Sequence, residues 1–276
     1  MTEQKELIQR SANYIKQNSP FTGKVNFALI TYRDPSFLKD YKIIKRVKYS
    51  DIPPVFGADA DSSGEFIYAS TKDGKKKFYI LNGHINFYNG YRMREAAHPV
   101  YVLNELGVKN IIVIEEAGYL NPRFSIGGVA AIYDHINFMG DNPLIGENDS
   151  TIGTRFPDMS DPYDAKWYES ITAMLRERKF RFYPSVYLGI TGPETETEAE
   201  CRFYRDTGSD ILGYSLVPEN MAMVHAGIKC AAFAMLSREL VADRLVEITD
   251  AEKRANRQKA EKSFAPLLAE LIASVK

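Results

Sequence analysis

A run of four apolar, β-favouring residues, Ile111-Ile112-Val113-Ile114, most constrains the fold of this chain. Such a run predicts a strand that is buried on both faces, as in α/β proteins whose sheet is covered by helices on both sides. Glu115 and Glu116 follow directly, and the sequence predicts that the strand stops at these two acids and that a glycine-containing turn follows. In an open α/β sheet, ligands bind outside the carboxyl ends of the strands, so this acid pair marks a candidate site.

The two acids are open to a functional and a structural interpretation. Adjacent strand residues point to opposite faces, so at most one carboxylate enters a given pocket unless the strand ends at Glu115. In the structural alternative, both acids cap the following turn or pair with basic neighbours, since structural ion-pair networks also perturb carboxylates.

Length and composition indicate an ordinary globular protein. The chain has 276 residues, of which 45% are hydrophobic and 26% are charged, so a sizeable core can form. We find no internal repeat or low-complexity linker, and we predict a single α/β domain over residues 1–276. The net charge of −1 gives no indication of nucleic acid or an anionic membrane as partner.

The sequence also suggests a compartment. No stretch reaches about 18 apolar residues, so no transmembrane helix is expected, and the polar N-terminus lacks the apolar region of a signal peptide. Cys201 and Cys230 lie far apart, match no metal-ligand spacing and are interpreted as reduced thiols. We therefore expect a cytoplasmic protein without a membrane partner or a bound metal.

Hydrophobic periodicity and turn signals predict alternating strands and helices. The predicted strands are 25–32, 65–71, 76–81, 110–117, 129–136, 182–191, 210–215 and 230–236. The predicted helices are 3–17, 92–106, 163–179, one starting within 192–200, 218–227 and 251–276. Pro266 favours a break in the last helix, and Ser36 is a candidate cap of a short helix. Loops are predicted at 50–64 and 139–161, the second being either a functional lid or an interface loop.

Polar groups collect at the predicted strand ends, which favours a small-molecule site. The segments are 33–36, 82–89, 115–118, 192–196 and Tyr214-Ser215. The sequence contains no phosphate-binding glycine loop, dinucleotide fingerprint, zinc-spaced histidine pair or nucleophile elbow. From the residues alone, the function can be specified only as the binding of a small molecule.

Several ordered blocks resemble the trimeric purine nucleoside phosphorylase family, which includes the methylthioadenosine phosphorylases. The matching blocks are Gly118-Tyr119-Leu120-Asn121-Pro122, Asp134-His135-Ile136-Asn137, Asn142-Pro143-Leu144-Ile145-Gly146, Arg155-Phe156-Pro157-Asp158-Met159-Ser160-Asp161, Gly192-Pro193-Glu194-Thr195-Glu196-Thr197 and Ser215-Leu216-Val217-Pro218-Glu219. The resemblance covers nearly the whole chain. It implies a mixed, twisted sheet with a distorted barrel surrounded by helices, and a homotrimer. It also implies cleavage of the glycosidic bond of a purine nucleoside by phosphate, through an oxocarbenium-like transition state stabilised electrostatically.

The resemblance assigns roles where its motifs persist. Glu196 matches the glutamate that accepts hydrogen bonds from the purine ring, although by itself it would more often cap the helix that begins near Thr195. Tyr88 matches a sugar-site tyrosine and Ser215 a phosphate-site serine. Tyr214 replaces a sugar-packing methionine.

The differences from the family's motifs cluster at the positions that bind phosphate and the purine base in the family. Tyr32-Arg33-Asp34-Pro35-Ser36 replaces a glycine-rich phosphate loop, and Pro35 supplies no N–H. Ser62-Ser63-Gly64 and Gly83-His84-Ile85-Asn86 lack the family's histidine and arginine. Glu116 replaces a small residue and would repel phosphate by on the order of several kcal/mol. In the base and sugar sites, the changed residues are Asn89, Thr195 and Arg238.

Three hypotheses follow for the function. In the first, an enzyme uses the pocket without phosphate, with Glu116 or Glu115 as general base and His84 or Asn86 orienting a nucleoside-like or purine-like substrate. In the second, a purine nucleoside phosphorylase has a rearranged phosphate site made of Arg33, His84 and Ser215. In the third, the chain is a non-catalytic binding protein. Arg33 and Arg238 either bind the ligand or pair with the two acids. No cofactor is expected, and phosphate is a doubtful co-substrate.

Overall fold

The structure is a computed structural model that describes residues 2–53 and 64–275. The strands of these residues are Phe27–Thr31 (β1), Lys42–Lys48 (β2), Glu65–Ser70 (β3), Lys77–Asn82 (β4), Asn110–Tyr119 (β5), Val129–Asn137 (β6), Tyr183–Gly189 (β7), Ile211–Gly213 (β8) and Lys229–Glu239 (β9). Their α-helices are Glu3–Gln17 (α1), Met93–Glu105 (α2), Ala165–Glu177 (α3), Glu198–Asp206 (α4), Leu216–His225 (α5) and Asp250–Ser274 (α6). None of these helices is long and apolar enough to cross a membrane.

All the strands belong to one mixed sheet in the order β2-β3-β4-β1-β5-β8-β7-β6-β9. Because β9 also pairs with β5, the second half of the sheet closes into a five-stranded barrel of β5, β8, β7, β6 and β9. Strands β1, β4, β5 and β9 run in the same direction, whereas β8 runs antiparallel to β5. The closure places the polar strand ends of both halves around a common region.

Strand β5 is central to the sheet and is buried on both faces, as predicted from its apolar run. Ile111 and Val113 belong to one core with α1, α2 and α5 residues. Ile112 and Ile114 belong to a second core that includes Leu175 of α3 and Phe264 of α6. All four side chains are fully buried, and burying such a side chain stabilises the fold by about 1.5–3 kcal/mol.

The prediction that this strand stops at the two acids is wrong. Strand β5 continues to Tyr119, because Gly118 and Tyr119 pair with both β8 and β9. The ladder shifts register between Ala117 and Gly118. A Cβ on Gly118 would lie 2.4 Å from a methyl carbon of Leu240, so glycine permits the close approach that continues the strand. The acids therefore lie within a strand, where alternation directs their side chains apart.

Several predicted boundaries also change. Helix α6 runs through Pro266 without a break. The 3₁₀ helix Ser36–Asp40 begins after Pro35, and Ser36 does not cap it. Strand β2 was not predicted, because its half-exposed, lysine-rich sequence lacks a strong apolar pattern. Of the predicted loop 50–64, residues 54–63 lie outside the described part of the chain.

The predicted insertion is a long connection between β6 and α3. Residues 139–161 contain no helix or strand. The guanidinium of Arg155 donates to the carbonyl oxygens of Leu144 and Gly146, at 2.9 and 2.8 Å. Both the lid and the interface interpretations of this segment stay predictions.

Candidate active site

A cavity of about 520 Å³ opens where the strand ends meet. It is lined by Tyr32, Arg33, Tyr49, Gly64, Gly83, His84, Asn86, Tyr88, Asn89, Glu115, Glu116, Ala117, Gly118, Pro193, Thr195, Tyr214, Ser215, Ser237, Arg238 and Lys253. All the predicted site residues therefore line one cavity except Glu196. The carboxylate of Glu196 lies behind Arg238 and lines an adjoining cavity of about 530 Å³. The volume of the first cavity is in the range of small-molecule sites.

His84 is held between two glutamates at the wall of the cavity. Gly83 has a φ of +115°, a left-handed conformation that glycine adopts without strain, and it turns the chain out of β4 just before His84. The imidazole Nδ1 lies 2.8 Å from Oε1 of Glu219, and Nε2 lies 3.9 Å from Oε1 of Glu115. The side chains of His84, Glu115 and Glu219 are 3%, 5% and 6% exposed. Nε2 has no hydrogen-bond partner among the described residues.

This arrangement sets the charges of the pair. Burial lowers the pKa of His84, but the charges of Glu219 and Glu115 outweigh it, and the pKa rises to about 9. Burial raises the pKa of Glu115, and His84 opposes the rise. The Tyr187 hydroxyl donates to Oε2 of Glu115 at 3.4 Å, and the backbone N–H of Glu116 donates to Oε1 at 3.0 Å. His84 is therefore an imidazolium at neutral pH, beside a carboxylate with raised basicity.

Glu116 points away from this pair and contacts helix α6. Nη1 of Arg257 donates to Oε2 of Glu116 at 2.6 Å, and Nε of the same guanidinium donates to Oε1 of Glu261 at 3.2 Å. Glu261 also accepts from the Tyr32 hydroxyl at 2.8 Å and from the backbone N–H of Ser36 at 2.7 Å. Arg257 balances part of the negative charge, so Glu116 repels an anion less than an isolated carboxylate would.

The ion pairs proposed for Arg33 and Arg238 with the two acids are wrong. Among the described residues, the carboxylate that lies within 4.0 Å of Arg33 is that of Asp34, and both side chains are mostly exposed. Arg238 pairs instead with Glu196, with Nη1 at 3.1 Å from Oε2. Arg257 takes the position of counter-ion to Glu116. Arg257 lies 141 residues further along the chain than Glu116. The charged sequence of its helix is typical of a solvent-exposed surface and gives no sign of this pairing.

Glu196 does not cap the following helix. Thr197 is the N-cap of α4, and its side chain forms a capping box with Glu200. Oε1 of Glu196 accepts from the Tyr214 hydroxyl at 2.9 Å, and Nη2 of Arg238 donates to that hydroxyl at 3.0 Å. The Glu196 side chain is 1% exposed. Its role in binding a heterocycle stays a prediction, although both of its oxygens already accept hydrogen bonds.

The remaining predicted residues form the rim and one wall. Tyr88 and Tyr214 pack edge to face, with ring centroids 5.9 Å apart, and Asn89 and Thr195 are exposed at the opening. On the wall, the Ser215 hydroxyl donates to Oδ1 of Asn86 at 2.7 Å. This contact brings together the two segments that follow β4 and β8.

Sequence reasoning missed the residues that hold the predicted ones in place. These are Tyr187, Glu219, Arg257 and Glu261. Tyr187 is an ordinary tyrosine of a strand, and Glu219 lies in the first turn of a helix. Only the fold brings Tyr187 to Glu115 and Glu219 to His84. The spacing of Arg257 and Glu261 on one helix face was the one local signal available.

Comparison with known proteins now identifies the family. A profile of the phosphorylase superfamily matches residues 35–273. Purine nucleoside phosphorylase 1 of Bacillus subtilis (strain 168) is 37% identical in an alignment of 258 residues that covers 90% of this chain and 94% of that protein. The chain belongs to the purine nucleoside phosphorylase family. The resemblance seen in the sequence is thereby confirmed.

Solved structures of the family confirm the fold. A Schistosoma purine nucleoside phosphorylase in complex with hypoxanthine superposes with a TM-score of 0.86 at 26% identity, covering 98% of both chains. Isoform 2 from Schistosoma mansoni, in complex with cytosine and ribose-1-phosphate, has a TM-score of 0.86 at 27% identity, covering 98% of this chain and 97% of that one. The predicted α/β fold, a mixed sheet with a barrel surrounded by helices, is therefore correct. The family membership indicates an enzyme that acts on glycosidic bonds.

Proposed function

We propose that this chain cleaves the N-glycosidic bond of a nucleoside-like molecule with water, rather than phosphate, as the nucleophile. The observation that carries the proposal is the buried pair of Glu115 and His84 in the cavity wall. Glu115 has raised basicity and no hydrogen bond to a cationic side chain among the described residues, so its carboxylate can take a proton. A general base of this kind works best when its pKa lies near the working pH.

The proposed step is a single displacement at the anomeric carbon. As the oxygen of water bonds to that carbon, Glu115 accepts a proton from the water. The carbon–nitrogen bond breaks, its electron pair leaves with the heterocycle, and the heterocycle takes a proton from solvent. Glu115 then returns its own proton to solvent, and the products are a free sugar and a free heterocycle. The Glu116 carboxylate, which takes no proton in this step, stabilises the positive charge that develops on the sugar.

Water is favoured over phosphate because several of the cavity's donors are already engaged and because two carboxylates, Glu115 and Glu116, line it. The Ser215 hydroxyl donates to Asn86, Nδ1 of His84 is occupied by Glu219, and Arg238 donates to Glu196 and Tyr214. A phosphate dianion needs several free donors, and its neighbours here would include two carboxylates. Arg257 balances only part of this charge, because Glu116 and Glu261 share it.

Phosphorolysis at a rearranged site is the second candidate. It is favoured by the relatives named purine nucleoside phosphorylase and by the similar structure that holds ribose-1-phosphate. In this chain, the exposed Arg33 and the imidazolium of His84 line the same cavity as Ser215. Arg33 would then bind the phosphate oxygens, with Nε2 of His84 as a further donor.

The two candidates differ in the sugar they release. The protein is incubated with inosine, guanosine, adenosine and cytidine in buffer freed of phosphate, and the sugar product is identified by chromatography. Free ribose formed without phosphate supports hydrolysis. Ribose 1-phosphate, formed only when phosphate is added, supports the second candidate. Absence of cleavage of every nucleoside under both conditions contradicts both and favours a binding protein.

A further inference from the structure

We propose that Nε2 of His84 and Oε1 of Glu115 together bind the attacking water molecule, and that Glu219 is the positioning residue that aims Nε2 at this water. The proposal rests on the proposed function, because it gives the nucleophile of that reaction a defined place in the cavity wall. It also gives a role to Glu219, which is not among the described residues that line the cavity.

The separation of the two atoms fits a bridging water. Nε2 of His84 and Oε1 of Glu115 lie 3.9 Å apart, which is too far for a direct hydrogen bond, but one water oxygen can lie about 2.8 Å from both. Both residues line the cavity, and Nε2 has no hydrogen-bond partner among the described residues. Oε1 accepts from the backbone N–H of Glu116 at 3.0 Å, and a carboxylate oxygen has a second lone pair. The wall therefore presents a donor and an acceptor to the same point.

A water held in this way is oriented for attack. It accepts a hydrogen bond from the N–H of Nε2 and donates one to Oε1, which leaves its other lone pair for the anomeric carbon. Glu115 takes the proton as the carbon–oxygen bond forms, and His84 keeps its own proton throughout. The imidazolium also opposes the rise that burial causes in the pKa of Glu115, so it favours the ionised carboxylate that this step requires.

Glu219 holds the opposite edge of the imidazole ring. Its Oε1 lies 2.8 Å from Nδ1 of His84, and the side chains of the two residues are 6% and 3% exposed. Glu219 lies in the first turn of α5, where the helix dipole favours a carboxylate. A neutral ring that donates from Nδ1 would offer Nε2 only as an acceptor, so both nitrogens must be protonated for Nε2 to donate to the water. Glu219 therefore sets both the direction and the charge of the ring.

The other titratable groups near these side chains stay neutral while His84 titrates. Burial raises the pKa of each of them, and they are Tyr49, Tyr88, Tyr163, Tyr187 and Cys230. Glu116 is charged, but it is paired with Arg257. The charge of His84 therefore depends mainly on the two glutamates between which it lies and on the backbone carbonyl of Ile114.

Nitrogen-15 NMR of the histidine rings in the full chain tests the role of Glu219 without a substrate. The signals of His84, one of four histidines, are assigned by their loss in His84→Gln. We expect both ring nitrogens to be protonated at neutral pH, with a titration midpoint of about 9. In Glu219→Gln, the midpoint is expected to fall by at least about one pH unit, because the anion that favours the imidazolium is lost. Glu219→Asp keeps that charge and is expected to give a midpoint between the two.

Nucleoside cleavage in phosphate-free buffer tests the water site. Glu219→Gln is expected to lower kcat about tenfold and to change KM by less than about threefold, because it misplaces the water without removing a contact to the substrate. The alkaline limb of the pH profile is expected to move to lower pH together with the NMR midpoint. Glu95→Gln is the matched control, since it removes a glutamate from the first turn of α2, and it is expected to leave kcat and the His84 midpoint unchanged.

Two NMR results would overturn the role of Glu219. They are a His84 midpoint below pH 7 in the unaltered protein and a midpoint that Glu219→Gln leaves unchanged. If Glu219→Gln does not fold, the midpoints of the unaltered protein and of Glu219→Asp decide in its place.

The water site is overturned if Glu219→Gln changes KM alone or leaves the alkaline limb in place. Failure of the proposed function gives a different result, namely a requirement for phosphate in the unaltered protein. The water site would then fail with it, and the NMR midpoints would still decide whether Glu219 positions His84.

Discussion

Nη1 of Arg257 and Oε2 of Glu116 are 2.6 Å apart, and their side chains are 16% and 26% exposed. The contact joins the C-terminal helix to the central strand at the wall of the active-site cavity. The guanidinium also lies over the ring of Tyr32, 4.3 Å from its centroid. Glu116, which lines the cavity, is therefore held in place by its own counter-ion.

The first prediction concerns the contribution of Arg257 to stability. Arg257→Met keeps most of the side-chain volume but leaves Glu116 and the buried Glu261 without their shared cation. Removing one partner of a buried ion pair costs about 3–5 kcal/mol, and we expect the free energy of unfolding in urea to fall by about 3 kcal/mol, because Glu116 is partly exposed.

Arg178→Met is the matched control for this measurement. Arg178 also pairs with a glutamate of α6, Glu270, but the two side chains are 55% and 41% exposed. Its loss is expected to cost much less than that of Arg257, because solvent-exposed ion pairs contribute little to stability. Equal effects of the two substitutions would show that the Arg257 network is not a buried ion-pair network in the folded protein.

The second prediction separates the two acids. Because Glu115 has raised basicity and Glu116 is paired with Arg257, we expect Glu115→Gln to lower kcat about a hundredfold. Glu116→Gln is expected to lower it by less than about tenfold, since it removes only an electrostatic contribution to the cavity. Single-turnover rates on a cleaved nucleoside measure both. The opposite order of effects would assign the base to Glu116.

The third prediction is the pH dependence of kcat/KM. Glu115 must be ionised to accept a proton, and burial raises its pKa above the ordinary value of 4.5. The rate is therefore expected to increase with pH along an acid limb whose midpoint lies above pH 4.5. The pKa of His84 is raised to about 9, so the imidazolium, which the sequence analysis predicts to orient the substrate, loses its proton as pH passes about 9, and the rate is expected to fall. His84→Gln should remove the alkaline limb and move the acid limb to higher pH, because the charge that opposes the rise in the pKa of Glu115 is lost. A profile without an acid limb would contradict the role of Glu115.

The fourth prediction is the assembly. We expect a homotrimer, as the family resemblance implies, with a mass by light scattering three times that of one chain. A clean monomer at micromolar concentration would contradict it.

Much of the fold could be predicted because it depends on local patterns. The apolar run at Ile111-Ile112-Val113-Ile114 predicts a strand with both faces buried, and its alternate side chains do enter two different cores. The end of that strand could not be predicted in the same way. Gly118 is a typical turn residue in sequence, but here it lets the side chain of Leu240 approach the backbone while the ladder continues.

The sequence was sufficient to predict which residues line the candidate site, but not which of their side chains pair with each other. The polar segments do line one cavity, because β1, β4 and β5 run parallel and the closure of the barrel brings the ends of β7 and β8 to the same region. Which side chains pair depends on distant elements. Arg238 meets Glu196 across 42 residues, and His84 meets Glu219 across 135. Neither sequence spacing nor charge pattern contains that information.

Titration of the cleavage rate with phosphate tests the central claim most directly. Initial rates on a cleaved nucleoside are measured from phosphate-free buffer up to millimolar phosphate, with the ionic strength held constant by sulfate-free chloride salt. We predict a rate that is already maximal without phosphate and free sugar as the product throughout. A rate that is absent without phosphate and rises to saturation with it, yielding a sugar 1-phosphate, would contradict the account.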